Sequence, residues 1–206
     1  MSLTKISINN FRCFKNVDLQ LSPGINFFFG KNGSGKTSIL ESVFIFSSGK
    51  SFKSSNLASL VNYENDKFTL KAFDNLKGYV VEIEKNKNKP ISVLLNNKKI
   101  TTSKLIKEFP CTPIHNNTFS FADASPDFRR KLLDRSIFIS EKSFSECWFS
   151  YYRSLKQRNS ILKNNRISDI YTWNTKLSDE GIKLNNMRKS FFTKTKNEFY
   201  YLIDLI

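Results

Sequence analysis

The sequence predicts an α/β fold followed by a helical arm, and three observations predict it. An apolar run of strand length, Ile25-Asn26-Phe27-Phe28-Phe29, leads into a glycine-rich loop and then into helical spacing from Lys36 to Phe46. Between Phe68 and Leu95 three short alternating segments are separated by turn-forming residues, as in an antiparallel meander. Beyond Pro126, apolar residues recur at helical intervals.

Taken in order, Leu3 to Ile8 alternates apolar and polar, which predicts a half-buried strand with a turn at Asn9-Asn10. Leu19 to Leu21 suggests a second short strand, and Pro23-Gly24 breaks the chain. Ile25 to Phe29 is expected to be buried on both faces. Ile39, Leu40, Val43, Phe44 and Phe46 mark the helix that follows the loop. Phe68 to Phe73, Tyr79 to Ile83 and Ile91 to Leu95 are the meander strands, with Asn96-Asn97 as a turn. A short helix around Ser103 to Lys107 and a strand at Thr112 to His115 complete this part. Phe128 to Phe138 opens the helical part. Phe144, Trp148, Tyr151, Tyr152, Leu155 and Leu162 then share one helical face. Asn164-Asn165-Arg166 reads as a turn, and Leu177, Leu184, Met187, Phe191, Leu202 and Ile206 form a second stripe. Two antiparallel helices forming an arm account for both stripes, which read as packing surfaces rather than a cofactor site.

The chain has 206 residues and is 39% hydrophobic, enough for a folded domain with a sizeable core. It has no run of about eighteen apolar residues and no apolar signal core near Met1, so a cytoplasmic location without membrane association is expected. Cys13, Cys111 and Cys147 are odd in number and far apart, which points away from a disulfide framework or a zinc site. His115 has no neighbouring metal-type ligand. The net charge of +15 favours a polyanionic partner, nucleic acid first. A bias toward Lys, Asn, Ile and Phe and away from Ala also fits an AT-rich genome, which would account for part of that charge. Residues 140–206 hold 12 basic and 7 acidic side chains, net +5, against 21 and 11, net +10, in the rest. The charge is spread rather than gathered into one stripe. Phosphate contacts from such a surface are blind to sequence and sensitive to salt.

The chemistry is concentrated in Gly30-Lys31-Asn32-Gly33-Ser34-Gly35-Lys36-Thr37, which fits G-x-x-x-x-G-K-[ST] without a mismatch. Its glycines allow backbone angles closed to other residues, so that successive N–H groups can face phosphate oxygens. The following helix, entered at Thr37 and Ser38, adds its positive N-terminal end. Lys36 supplies a point charge for the β- and γ-phosphates, and the Thr37 hydroxyl suits Mg²⁺. The cofactors expected are therefore ATP and Mg²⁺, with Gly30 through Ser38 as the binding residues, Thr37 as the metal ligand and no catalytic residue assigned. The loop does not itself separate ATP from GTP, but no N-K-x-D guanine-reading motif is present.

Around this loop the sequence resembles the RecF family. The matching residues are Met1-Ser2-Leu3-Thr4, Asn10-Phe11-Arg12, Leu21 to Phe27, and the loop with Ser38-Ile39-Leu40-Glu41-Ser42. Further on, Gly49 to Ser54 resembles the family's basic segment, Ser125 to Asp134 its P-x-x-R-R-x-x-L-D stretch, and Leu155 to Asn159 its L-K-Q-R-N helix. The matches fall in family order to about Asn159. The resemblance implies an α/β fold that is the N-terminal half of a P-loop ABC-type ATPase head, with a mixed sheet and an antiparallel β-subdomain, and a helical arm. The head would span 1–135 and the incomplete arm 136–206. It implies roles in DNA replication, recombinational repair and the SOS response. Those roles rest on binding single-stranded DNA and junctions and on helping load the recombinase with RecO- and RecR-type mediators. It also implies ATP-driven homodimerisation.

The sequence departs from the family in one large way. It stops at Ile206, before the ABC signature and the acidic Walker B strand, so it reads as a truncated form with negligible hydrolysis of its own. Tyr200-Tyr201-Leu202-Ile203-Asp204 imitates a Walker B strand, but the helical stripe runs through it and Leu205 follows where a second acid belongs. No glutamine lies between Gln20 and Gln157 to serve as a Q-loop residue. Arg12 is open to two readings, a phosphate contact or a packing arginine. Arg129 and Arg130 are read as partners of Asp127 and Asp134 rather than of DNA. Two alternatives stand beside the RecF-like reading: a truncated remnant that binds neither partner well, and a small P-loop kinase, for which a second phosphate-binding or lid motif is missing.

Overall fold

The computed structural model describes residues 3–75, 77–114, 125–164 and 170–205. It divides into two compact units, 1–115 and 116–206. Of the expected features, His115, the Asn165-Arg166 part of the second turn and Ile206 lie outside the described residues.

The first unit is an antiparallel sheet with the loop-bearing helix on it. Its strands are β1 (Lys5–Phe11), β2 (Phe14–Gln20), β3 (Lys67–Asp74), β4 (Tyr79–Asn86), β5 (Ser92–Leu95) and β6 (Lys98–Lys99), in spatial order β2-β1-β3-β4-β5-β6. The pleat sends alternate residues to opposite faces, and the register aligns the apolar ones. Ile8, Leu70, Ile83 and Val93 form one row across four strands, and Ile6, Ala72, Val81 and Leu95 the next. Helix α1 (Lys36–Ser48) contributes Ile45 and Phe46 to the core these rows build. The other face carries charged neighbours such as Lys71–Glu82 at 3.1 Å. Helix α2 (Thr102–Glu108) is capped by Thr101, whose hydroxyl accepts from Lys104 N at 3.2 Å.

Two tight turns set the registers. Asn96 and Asn97 both have positive φ, 48° and 62°, as a two-residue hairpin turn between β5 and β6 requires. The β1–β2 hairpin turns at Arg12-Cys13, with Phe11 opposite Phe14. The β1 strand thus runs through Asn9-Asn10, where a turn was expected, and β2 is longer than Leu19 to Leu21. Pairing across the hairpin extends both strands beyond what their own alternation indicates.

The expected strand at Ile25 to Phe29 does not form. The segment has no regular structure and is unpaired, and Ile25, Phe27 and Phe29 are 77%, 82% and 94% exposed. A strand needs a neighbour for its backbone N–H and C=O groups, and among the described residues none lies beside it. Residues Thr112 to Ile114 are likewise not a strand.

The second unit is helical: α3 (Pro126–Ser140), α4 (Phe144–Lys163) and α5 (Ile170–Asp204). Ser125 caps α3 by accepting from Phe128 N at 3.3 Å, with Pro126 in the first turn where its missing N–H costs nothing. Helices α4 and α5 run antiparallel: Arg158 meets Asn174 at 2.7 Å and Tyr151 packs on Gly181. Ile137, Phe144 and Leu184 are the core, with Trp148, Tyr151, Met187 and Phe191 against it. The second stripe is covered only in part. Leu202 is 57% exposed, because α4 has 20 residues and α5 has 35. Tyr200 to Asp204 is helical, not a strand.

Asp134 joins the three helices of this unit. It accepts from Arg188 Nε and Nη2, both at 2.7 Å, and from Trp148 Nε1 at 3.1 Å. The expected pairing with Arg129 or Arg130 is therefore corrected for Asp134, since a buried carboxylate takes the partner that reaches it inside the unit. Asp127 does pair along its own helix, with Lys131 at 2.6 Å and Arg130 at 3.8 Å.

Candidate functional site

The glycine-rich loop begins at Gly30, after the unpaired segment, and enters α1 at Lys36. Gly30, Gly33 and Gly35 have φ of 149°, 84° and 93°, a region unfavourable for residues with a Cβ. At Gly35 the restriction is double. A Cβ there would strike the Phe14 ring and approach Cys13 Sγ to 3.2 Å.

The Lys36 ammonium turns back over the loop and donates to the carbonyls of Gly30 at 2.8 Å and Lys31 at 2.9 Å. Ser34 N donates to Lys31 O at 3.2 Å, closing the curl. The result is a cavity of about 310 Å³ lined by Asn32, Gly33, Ser34, Gly35, Lys36, Thr37 and Ser38. Of the residues predicted for the site, only Gly30 and Lys31 lie off the lining, and their carbonyls hold the lysine. Backbone amides at a helix N-terminus with an ammonium beside them suit a polyphosphate. The residues present therefore fit a nucleotide triphosphate. No carboxylate lines the cavity, and among the described residues no group of three or more His, Cys, Asp or Glu side chains could hold a metal. The Thr37 hydroxyl is the group here suited to Mg²⁺.

Cys13 and Lys53 complete the lining, and the sequence reading assigned neither. Lys53 lies in the basic segment after α1, which was its one signal. Cys13 is brought in by the β1–β2 turn, which local sequence does not reveal.

Arg12 beside it is not on the lining and is paired with a carboxylate. It donates from Nε to Glu41 Oε2 at 2.6 Å and from Nη2 to Glu41 Oε1 at 2.9 Å. Glu41 lies on α1 and is fully buried, and its hydrogen bond raises the Arg12 pKa above the usual arginine value. Arg12 sits at φ 54°, held by Arg12 N donating to Leu60 O at 2.7 Å and Asn62 Nδ2 donating to Arg12 O at 2.9 Å. The pair with Glu41 is the packing role among the two readings of Arg12.

The RecF/RecN/SMC N terminal domain family matches residues 2–125. This chain belongs to that family. Among curated RecF/RecN/SMC relatives, the DNA replication and repair protein RecF of Glaesserella parasuis serovar 5 is 38% identical over 184 residues, covering 86% of this chain and 50% of that protein. The RecF of Cronobacter sakazakii is 32% identical over 204 residues, covering 96% and 57%. The chain thus spans about half the length of the curated relatives it matches. A solved structure of the recombination mediator protein RecF-ATP in the RecFOR pathway superposes with a TM-score of 0.84 at 25% identity, over 95% of this chain and 55% of that one. An SMC ATPase structure superposes at 0.53 and 20% identity, covering 66% of this chain and 99% of that one, which shows the shared fold. The fold is that of the N-terminal part of an ABC-type ATPase head with helices following it.

Proposed function

We propose that this chain is the nucleotide-binding part of a RecF-type protein of DNA replication and repair, with a head at 1–135 and an arm at 136–206. The observation that carries the reading is the curled loop from Gly30 to Thr37 with the Lys36 ammonium held on its Gly30 and Lys31 carbonyls beside the cavity. In it, Gly30 to Ser38 bind the phosphates of ATP, Lys36 compensates their charge, and the Thr37 hydroxyl would hold Mg²⁺. Bound Mg²⁺ would draw charge off the phosphates. With no carboxylate in the cavity to orient water, the chain by itself binds ATP with negligible turnover.

The same reading gives the chain a DNA partner. The net charge of +15 supports sequence-blind contact with phosphates of single-stranded and junction DNA. The names of the relatives support roles in DNA replication and recombinational repair, partners from the RecFOR pathway, read as RecO- and RecR-type mediators, and ATP-dependent pairing of heads. The setting is the cytoplasm; no described helix is long and apolar enough to cross a membrane. The exposure of Ile25, Phe27 and Phe29 favours one second reading, a remnant that folds in part and binds both partners poorly.

Calorimetric titration with Mg·ATP separates the two. Saturable binding that Lys36→Ala abolishes, together with DNA affinity that falls steeply with salt, supports the first. A chain that binds neither ligand and melts without a cooperative transition is the remnant.

A further inference from the structure

Asn32-Gly33 is the one Asn-Gly step in the chain, and the fold places it at the tip of the glycine-rich loop. Ser34 N donates to Lys31 O at 3.2 Å, so Asn32 and Gly33 are the two central residues of a tight turn, with Gly33 at φ 84°. Both are exposed, and nothing lies within 4 Å of where a Cβ on Gly33 would stand. Among the described residues, neither the Asn32 side-chain amide nor the Gly33 N–H has a hydrogen-bond partner. Asn96, in the exposed turn after β5, differs on both counts. Its side chain accepts from Val80 N at 2.7 Å and donates to Gly78 O at 3.2 Å, and the residue after it, Asn97, carries a Cβ.

We infer that Asn32 is a site of spontaneous deamidation and, resting on the nucleotide reading above, that the reaction shuts the cavity to polyphosphates while a bound polyphosphate protects against it. Asparagine is a thermolabile residue, and a following glycine leaves its own nitrogen uncrowded. The bond from Gly33 N to Asn32 Cγ forms, the Cγ–NH2 bond breaks, and the Gly33 N proton leaves with the amide nitrogen as ammonia. The product is a cyclic imide, and water opens it. Attack at Cγ leaves an aspartate at position 32. Attack at the main-chain carbonyl carbon leaves an isoaspartate, with the chain rerouted through the side chain and one carbon longer. Water is the only co-reactant. Asn32 lines a cavity that holds no carboxylate, and either product puts one there. That charge repels phosphate and competes for the Lys36 ammonium. The isoaspartate also lengthens the turn whose Lys31 carbonyl accepts from Lys36 Nζ at 2.9 Å. A polyphosphate seated on the loop holds its backbone N–H groups and opposes the attack.

The test incubates the full chain at pH 8, with and without Mg·ATP, and follows each asparagine by peptide mass mapping. Asn32 is expected to trade its amide NH2 for OH well ahead of Asn96, giving aspartate and isoaspartate together. Mg·ATP at about ten times its Kd should slow the conversion roughly tenfold, since only the free loop reacts. Asn32→Asp, made directly, should raise the Kd for Mg·ATP at least about tenfold, the effect of one added like charge. Asn32→Ala, which removes the amide without adding charge, should lose less. Conversion of Asn32 no faster than that of Asn96 overturns the inference. So do equal rates with and without Mg·ATP in a chain that binds it, and Asn32→Asp binding no more weakly than Asn32→Ala. If the unaltered chain binds Mg·ATP and Lys36→Ala abolishes it while Asn32 stays intact, this inference fails alone. If the unaltered chain does not bind Mg·ATP, the nucleotide reading fails and the effect on binding goes with it, and the rate at Asn32 against Asn96 then upholds or overturns the modification site by itself.

Discussion

Arg12 grips Glu41 through two parallel hydrogen bonds, and the carboxylate it grips has no exposure to solvent. The pair joins the β1–β2 turn to the helix that carries the phosphate loop. Removing one member leaves the other charge buried without its counter-ion, which costs about 3–5 kcal/mol. Arg12→Ala should therefore lower the melting midpoint sharply, as read by circular dichroism. Arg12→Lys should recover only part of it, because an ammonium cannot match the two-pronged geometry. An unchanged midpoint in Arg12→Ala would show that the pair contributes nothing to the fold.

Gly35 is the loop position least able to change. Its φ of 93° and the Phe14 ring beside it both oppose a side chain. Gly35→Ala is expected to reduce ATP binding at least tenfold, and Gly35→Ala with Phe14→Ala to recover part of the loss by removing the ring. Identical affinities for the single and double variants would mean that backbone angle alone sets the requirement.

The cysteines offer a probe that needs no mutation. Cys13 is exposed and lines the cavity. Cys147 is partly covered, and burial pushes its thiol pKa up, so it holds less reactive thiolate near neutral pH. Iodoacetamide at pH 8 should label Cys13 well before Cys147, and Mg·ATP should slow labelling at Cys13 alone. Peptide mass mapping reads both rates. Protection of Cys147 rather than Cys13 would place the ligand elsewhere.

In the helical unit, Asp134 answers Arg188 and Trp148 together. Asp134→Ala leaves a guanidinium and an indole N–H without acceptors, at a cost of about 2–4 kcal/mol. Ser154 is the opposite case: its buried hydroxyl has no partner among the described residues. Ser154→Ala should be neutral or raise stability by up to about 1 kcal/mol. Urea denaturation of both variants checks the contrast.

Much of this could be read along the chain. The alternation of Phe68, Leu70 and Ala72 gave β3 its buried face, Asn96-Asn97 marked the turn after β5, and the spacing from Phe128 to Phe138 marked most of α3. The phosphate loop was complete in eight consecutive residues. What failed were inferences from an apolar run to a buried strand: Ile25 to Phe29 has the composition of a core strand and, among the described residues, no pairing partner beside it. The reach of the second stripe failed for a related reason, since a stripe is covered only as far as the opposite helix extends.

Sequence by itself determined the elements whose cause is local: backbone angles open to glycine and asparagine, alternation in the meander, and a lysine and threonine set at the start of a helix. Tertiary structure decided everything that depends on distant residues meeting. It gave Arg12 to Glu41, drew Cys13 and Lys53 to the cavity, and paired Asp134 with Arg188. A side chain's partner is the group that reaches it in the folded unit, and separations of 29 and 54 residues are closed by packing rather than by local pattern.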